Sequence, residues 1–347
     1  MKAAYFVEPG IIETRDVDRP VVKKPTDAIV RVIRACVCGS DLWWYRGIEQ
    51  RKPGLVGHEA IGVVEEVGGD VSVISPGDFV IVPFTHGCGK CRPCRAGFEG
   101  NCLNVEPGGN AGYQAEVMRA INADTALVKI PGRPEDYTDA QLASLTTLAD
   151  VMPTGYHAAM SARVRAGDTV VVFGDGAVGL CGVIAATLLG AARVISMSRH
   201  EDRAALAREF GATDIVAERG DEAVEKVLAL TDGIGADAVM ECVGMAQSIE
   251  TAFRVARPGG AIGRVGVPHG VDYNLYIDQL FWSNISLAGG PASVAKYDRE
   301  VLLGKVLDGS INPGHVFTAE FSLDDAQAAY QAMDQRRTIK SLLKVDS

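Results

Sequence analysis

Basic charge is what this sequence of 347 residues has too little of: 34 Lys and Arg stand against 44 Asp and Glu, a net charge of −10 at pH 7. Phosphate backbones bind to basic faces, so nucleic acid is not an expected partner. An apolar leader is missing as well. The opening run Met1-Lys2-Ala3-Ala4-Tyr5-Phe6-Val7 meets Glu8 at once, so no signal peptide is expected, and no lipidation signal is seen. Internal repeats and low-complexity tracts are also absent. One uncharged run, Gly176 to Ala192, reaches 17 residues, the short end for a membrane span. Asp175 and Arg193 close it and four glycines interrupt it, so a buried helix packed on a sheet is expected and no membrane partner. The expected compartment is the cytoplasm, where thiols stay reduced. The eight cysteines then read as metal ligands or buried thiols rather than disulfides.

What is present suits a globular chain: 47% hydrophobic and 22% charged residues, long enough for two domains. Residues 1 to about 150 read as β-rich, with Val- and Ile-rich runs at Ala28–Val32, Gly62–Val67 and Phe79–Val82 between turn signals. Helical spacing begins at Asp139, and Met152-Pro153-Thr154-Gly155 reads as the crossing into a second domain. There, Val170 to Phe173 forms an apolar run without polar alternation, a strand buried on both faces. Gly174, Gly176 and Gly179 follow in G-x-G-x-x-G spacing, then a helix, then a second strand, Val194–Met197. In that setting the first glycine permits the turn, the second admits a pyrophosphate, and the third lets helix and strand approach. The helix N-terminus offers N–H groups to phosphate. Further expectations are helices at Glu201–Phe210, Glu222–Leu230 and Ser248–Ala256, the last ended by Pro258-Gly259-Gly260. Strands are expected at Asp214–Val216, Ala238–Val243, Ala261–Val267 and Ile285–Ala288. These repeated β-α units predict a doubly wound α/β sheet from about 154 to 295. A tail from Asp298 ends in a strand at Ser341–Val345 and folds back on the first domain.

Cys88, Cys91, Cys94 and Cys102 share one loop with several glycines and Pro93. Four thiolates at this spacing suit a closed tetrahedral zinc, with no coordination position left for substrate. A second set is dispersed: Cys36-Val37-Cys38-Gly39-Ser40-Asp41, Gly57-His58-Glu59, and Asp150. Cys, His and Asp all ligate zinc, and three protein ligands would leave a position open for chemistry, but spacing alone leaves a shared metal undecided.

Taken together, these segments resemble the zinc-dependent medium-chain alcohol dehydrogenase family over nearly the whole chain, bacterial secondary-alcohol dehydrogenases most of all. The resemblance implies a GroES-like catalytic domain over 1–153 with a structural zinc lobe at 86–103. It implies a Rossmann cofactor domain over 154–295 and a C-terminal return over 296–347. Cys38, His58 and Asp150 match the catalytic zinc ligands, and Glu59 matches a carboxylate beside the metal. Two zinc ions per chain, one catalytic and one structural, follow. Cys36 is read two residues from Cys38 on a strand, facing the same way and a rival ligand; the family pattern favours Cys38. Cys181 and Cys242 read as core thiols, and His86, His157, His200, His269 and His315 as structural or solvent-facing.

For the nucleotide, the family's ribose-binding acid lies 24 residues after the first glycine, and counting from Gly174 gives Ser198. Arg199, His200 and Arg203 follow. A hydroxyl followed by guanidinium groups suits a 2′-phosphate, so NADP(H) is expected over NAD(H); the alternative is that Glu201 or Asp202 reaches the ribose. By family position, Ala177 and Val178 border the pyrophosphate. Val243, Val265 and Val267 line the cofactor path, and Lys340 reaches a cofactor phosphate. The implied reaction is hydride transfer between an alcohol and a ketone or aldehyde, with Ser40 bonding the substrate oxygen and opening the proton path. Trp43 stands where the family often has a relay histidine, and an indole does not titrate. Trp43 and Trp44 read either as channel walls or as ordinary packing. Tyr113, Phe84, Phe281 and Trp282 are weaker pocket or subunit-contact candidates. Alternatives are an NAD-linked polyol or threonine dehydrogenase, a zinc-independent quinone reductase, and a nucleotide-binding redox sensor without turnover. Family members of this length often form tetramers, so a homo-oligomer, a tetramer rather than a dimer, is expected.

Overall fold

The computed structural model describes residues 1–106, 111–268 and 276–345. His269 lies outside the described residues. The chain divides into two compact units, Met1–Pro153 with Ser293–Ser347, and Thr154–Ala292. The C-terminal return therefore begins at Ser293, three residues before the expected 296. No helix among the described residues is long and apolar enough to cross a membrane.

The first unit is built on strands rich in Val, Ile and Ala, which pack well on a pleated surface. Its larger sheet has the spatial order Phe317–Ser322, Lys340–Lys344, Ala28–Cys36, Ala60–Val67, Phe79–Val82, Val128–Ile130. Val117–Ala120 pairs with Ala28–Cys36 off this path. The terminal strand thus joins the sheet beside an early one, with Leu342 opposite Cys36. A smaller sheet orders Ile11–Asp16, Lys2–Glu8 and Gly54–Leu55. Phe6, Val30, Val64, Val80, Tyr330 and Leu343 belong to the buried core between these elements. The helix Asp139–Thr147 starts where Thr138 accepts from the Gln141 N–H and Gln141 returns a bond to the Thr138 N–H.

Met152-Pro153-Thr154-Gly155, read as the crossing into the second domain, does span the division between Pro153 and Thr154, and it lies inside the helix Val151–Ser161. Pro153 sits in the first turn, where its missing N–H costs no helical bond. A Cβ on Gly155 would stand 2.6 Å from the Gly182 nitrogen, so Gly155 is there for close helix packing, not for a turn.

The second unit holds six parallel strands in the order Asp214–Ile215, Arg193–Met197, Thr169–Phe173, Ala236–Glu241, Ala256–Arg264, Ser286–Gly289. The order reverses between Thr169–Phe173 and Ala236–Glu241, which is where a ligand crevice opens in such a sheet. Val171, Ile195, Val239 and Ile262 are fully buried in its core. The uncharged run becomes the helix Ala177–Leu188. Pro258-Gly259-Gly260 does not separate helix from strand as expected. Ala256–Arg264 is one strand, and its register against Ala236–Glu241 slips between Ala236 and Ala238, which absorbs the proline and glycines.

Candidate active site

The strand Ala28–Cys36 ends at Cys36, so Cys38 lies beyond it, on the bend that opens the short helix Asp41–Tyr45. The expectation that Cys36 and Cys38 face the same way on one strand is therefore wrong. The Cys38 N–H donates to Asp41 Oδ2 at 3.2 Å, and Ser40 Oγ donates to Cys38 Sγ at 3.2 Å. Gly57, at φ +88°, aims His58 and Glu59 inward just before Ala60–Val67; a Cβ there would meet Gln114 Cγ at 2.4 Å. Asp150 arrives from the end of the helix Asp139–Thr147.

Four ligand atoms from Cys38, His58, Glu59 and Asp150 all lie within 4.8 Å of one another. Asp150 Oδ2 is 3.6 Å from Cys38 Sγ and 3.6 Å from His58 Nε2, which is 3.9 Å from Glu59 Oε1. His58 Nδ1 faces Asp41 Oδ1 at 3.6 Å. Two carboxyl groups, a thiol and an imidazole in a buried cluster form a donor set that fits a divalent cation of zinc character. Burial pushes His58 down, but Asp41, Cys38 and Asp150 outweigh it and hold its pKa well above the ordinary value. Burial raises Glu59, while Lys340 beside it works the other way. Asp41 was missed in the sequence, although it holds both the Cys38 backbone and the His58 ring. Its only signal was position, three residues after the cysteine. Asp41 Oδ2 also accepts from the Tyr330 hydroxyl at 3.4 Å.

Lys340 departs from expectation. Its Nζ donates to Glu59 Oε1 at 2.8 Å and to the Val37 carbonyl at 3.1 Å, and its side chain is 1% exposed. A buried ammonium spent on a buried carboxylate has no free reach to a cofactor phosphate, so Lys340 is a partner of Glu59 instead. Cys36 is also beside Glu59, Sγ to Oε2 3.2 Å, and outside the four-residue cluster; burial pushes its thiol well up. Trp44 is not a channel wall. It is buried against Phe6 at 4.9 Å and Tyr330 at 5.7 Å, with Arg51 stacked over it at 4.7 Å. Trp43 is half-buried. Phe84 stands edge-on to His58 at 6.3 Å, whereas Tyr113 is a core residue. His86 and His157 are buried, and neither belongs to either four-residue donor cluster.

The second cluster brings Cys88, Cys91, Cys94 and Cys102 within the same 4.8 Å limit, on a loop with only the short helix Arg92–Arg95 and one turn. Cys91 Sγ is 3.3 Å from Cys94 Sγ and 3.9 Å from Cys102 Sγ. Backbone N–H groups of Cys88 and Asn104 donate to Cys102 Sγ, each at 3.3 Å. Burial raises the Cys88 thiol, but donors from Asn104, Lys90 and Cys91 bring it down to about 6, while burial and Cys91 push Cys94 up to about 12. A loop of this polarity has little core of its own, and a tetrahedral metal is what four converging thiols fit.

In the second unit the glycines do what their spacing implies. Gly174 has φ +108°, and a Cβ on Gly179 would lie 1.9 Å from the Gly174 carbonyl oxygen. Val243 follows the strand Ala236–Glu241, and Val265 and Val267 follow Ala256–Arg264, on the strand-end edge that also carries the glycine loop. A Cβ on Gly244 would meet the Val267 carbonyl at 2.2 Å, so these loops pack through glycine. Glu241 was missed in the sequence. Buried at the strand end, its Oε1 accepts from the Val243 and Gly244 N–H groups at 2.9 and 2.8 Å and from Ser248 Oγ at 2.7 Å, which fixes the loop. Ser198 is buried at the end of the second strand, and Arg199 is exposed beside it. Ser198 Oγ donates to Asp175 Oδ2 at 2.9 Å, and Arg203 Nη1 lies 3.4 Å from Asp175 Oδ1. The expectation did not include Asp175.

Residues 24–132 match the alcohol dehydrogenase GroES-like domain family, and 177–297 the zinc-binding dehydrogenase family. "Zinc-type alcohol dehydrogenase B" of Aspergillus flavus is 38% identical over 282 residues, spanning 78% of this chain and 64% of that protein. An "Alcohol dehydrogenase" of Cupriavidus necator is 31% identical over 367 aligned residues, 97% of this chain and 96% of that one. Among solved structures, the alcohol dehydrogenase TADH from Thermus sp. ATN1 has TM-score 0.91 and 31% identity, with full coverage of both chains. The chain belongs to the zinc-dependent medium-chain alcohol dehydrogenase family, with its GroES-like and Rossmann-type folds. Its class is that of oxidoreductases of the alcohol dehydrogenase type.

Proposed function

We propose that this protein interconverts an alcohol with a ketone or aldehyde, using NADP(H) in preference to NAD(H). The observation that carries this is the convergence of Cys38, His58, Glu59 and Asp150 in one buried cluster. In this reading Cys38, His58 and Asp150 hold a catalytic zinc, with Glu59 beside it, and Cys88, Cys91, Cys94 and Cys102 hold a structural zinc. The zinc, when bound, supplies Lewis acidity toward a substrate oxygen, and the nicotinamide supplies or accepts the hydride.

The chain's own groups do the rest. Ser40, whose hydroxyl donates to Cys38 Sγ, is the group through which a substrate proton enters and leaves. Asp41 keeps the Cys38 bend and the His58 ring in place. Lys340 balances Glu59, so that the cluster's negative charge is not left to repel itself. With Trp43 at the usual relay position, protons leave by a route without a side-chain imidazole there. Gly174, Gly176, Ala177, Val178 and Gly179 cradle the pyrophosphate, and Val243, Val265 and Val267 flank the nucleotide. Ser198, Arg199 and Arg203 support the NADP assignment.

We read the protein as a cytoplasmic homo-oligomer, with a tetramer favoured. Eight free cysteines support the first part. Phe281 and Trp282, 69% and 78% exposed on one short helix, support the second.

Metal analysis and a substrate panel test the whole reading. Two zinc per chain, oxidation or reduction of secondary alcohols or ketones, activity lost on chelation, and higher kcat/KM with NADPH than NADH are expected. One zinc, or equal or better efficiency with NADH, would each remove the corresponding part.

A further inference from the structure

The glycine loop of the second unit carries a carboxylate, Asp175. Asp175 lies between the first two glycines of the motif, on the loop that meets the dinucleotide. A dinucleotide-binding sheet ordinarily carries an acid at the end of its second strand, where it accepts from the adenosine ribose 2′-hydroxyl. Here that place is held by Ser198, yet a carboxylate oxygen stands 2.9 Å from its hydroxyl, contributed by Asp175 from the neighbouring loop. Arg203 Nη1 reaches the same residue twice, at 3.4 Å from Oδ1 and 3.2 Å from the backbone oxygen. Arg219 lies on the next strand–helix connection. Burial pushes its guanidinium down, while Asp175 draws it up and Arg199 pushes it down, so it feels both residues.

Two chemistries therefore compete within one side chain's reach. The Ser198 hydroxyl lies 2.9 Å from Asp175 Oδ2, closer than the His200 carbonyl at 3.4 Å, and the charge of Arg203 is partly matched by Asp175. A 2′-phosphate would have to win both groups away from Asp175 and sit beside its negative charge. A 2′-hydroxyl has a proton to donate and meets a carboxylate acceptor.

We propose that Asp175 is the residue that sets nucleotide choice: it replaces the missing acid of the second strand, retains NADH binding, and holds NADPH preference below what Ser198, Arg199 and Arg203 would give alone. This rests on the reading of the glycine loop as the dinucleotide site.

The test is equilibrium binding of NADPH and of NADH to the zinc-loaded chain and to its Asp175→Asn and Asp175→Ala variants, followed by nucleotide fluorescence at fixed salt. Asparagine keeps the acceptor for Ser198 and removes the charge; alanine removes both. The ratio Kd(NADH)/Kd(NADPH) is expected to rise by at least about tenfold in Asp175→Asn, as the charge at the 2′ position is withdrawn. A merely structural role would weaken both nucleotides together and leave the ratio unchanged in both variants, which would overturn the proposal. A shift of the ratio toward NADH would also overturn it. The wild-type ratio judges the NADP reading separately: a wild type that prefers NADH ends that reading, while the change on substitution still decides the role of Asp175.

Discussion

Lys340 Nζ lies 2.8 Å from Glu59 Oε1, and the two side chains are 1% and 0% exposed. Glu59 immediately precedes the strand Ala60–Val67 and Lys340 opens Lys340–Lys344, so the pair ties an early segment of the first unit to its last strand beside the cluster of Cys38, His58, Glu59 and Asp150. Breaking a buried pair on one side leaves an uncompensated charge, which costs more than the pair contributes. Lys340→Met is expected to destabilise the first unit by about 3–5 kcal/mol, read as a lower Tm, and Lys340→Met with Glu59→Gln to recover part of the loss. A double variant no more stable than the single one would show that the pair is not what matters.

Asp150→Asn keeps the shape of the cluster and removes a charged donor. Zinc content is expected to fall from two per chain toward one, with activity lost and the cysteine lobe still loaded. Retention of both ions would take Asp150 out of the ligand set.

Ser40 Oγ is 3.2 Å from Cys38 Sγ. Ser40→Ala should lower kcat at neutral pH by at least about tenfold, as loss of a positioned proton-transfer group does, with both zinc ions retained. Wild-type turnover in that variant would place the proton path elsewhere.

Gly179→Ala adds a Cβ 1.9 Å from the Gly174 carbonyl oxygen, so the helix Ala177–Leu188 must withdraw from the glycine loop. Both nucleotides are expected to bind at least about tenfold more weakly, because the phosphate cradle depends on that approach. Titration of each nucleotide checks it, and unchanged affinities would mean that the cradle tolerates the shift.

Asp298 is buried, and neither of its carboxylate oxygens has a hydrogen-bond partner among the described residues. Burial holds its pKa well above the ordinary 3.8, against the pull of Arg299. A proton bound more tightly in the folded state stabilises it; that contribution is complete below 3.8 and is lost as pH rises through the folded pKa. Asp298→Asn removes the ionisation, so the Tm of the variant relative to wild type should rise as the pH is raised from the ordinary 3.8 through the elevated folded pKa. A constant difference across that range would mean that Asp298 does not titrate as its burial implies.

Local signals were legible where a single segment carries the whole physics. The glycine motif is one case, since strand, turn and helix are adjacent in the chain and the steric demand at Gly179 is met by Gly174, five residues away. The four-cysteine loop is another, because its donors come from one stretch of 15 residues, Cys88 to Cys102. Pro153 and Gly155 marked the crossing between the two units but not the helix that carries it. Taken locally they are breakers, but a proline in a first turn and a glycine at a helix crossing are compatible with a helix whose packing partner is distant in sequence. Pro258-Gly259-Gly260 misled, since a register slip against a neighbouring strand absorbed them.

The sequence by itself determined the strand and helix periodicities, the two cysteine-bearing segments, the glycine motif and the absence of an acid at Ser198. Each follows from residue type and short-range spacing. Only the tertiary structure decided that Cys38 joins the cluster while Cys36 turns to Glu59, that Trp44 is core, and that Lys340 is spent on Glu59. It also decided that the carboxylate missing from Ser198 returns from Asp175. In each of these cases the deciding partner is distant in the chain or on another element. Direction at close range is set by the fold, and spacing in sequence holds no record of it.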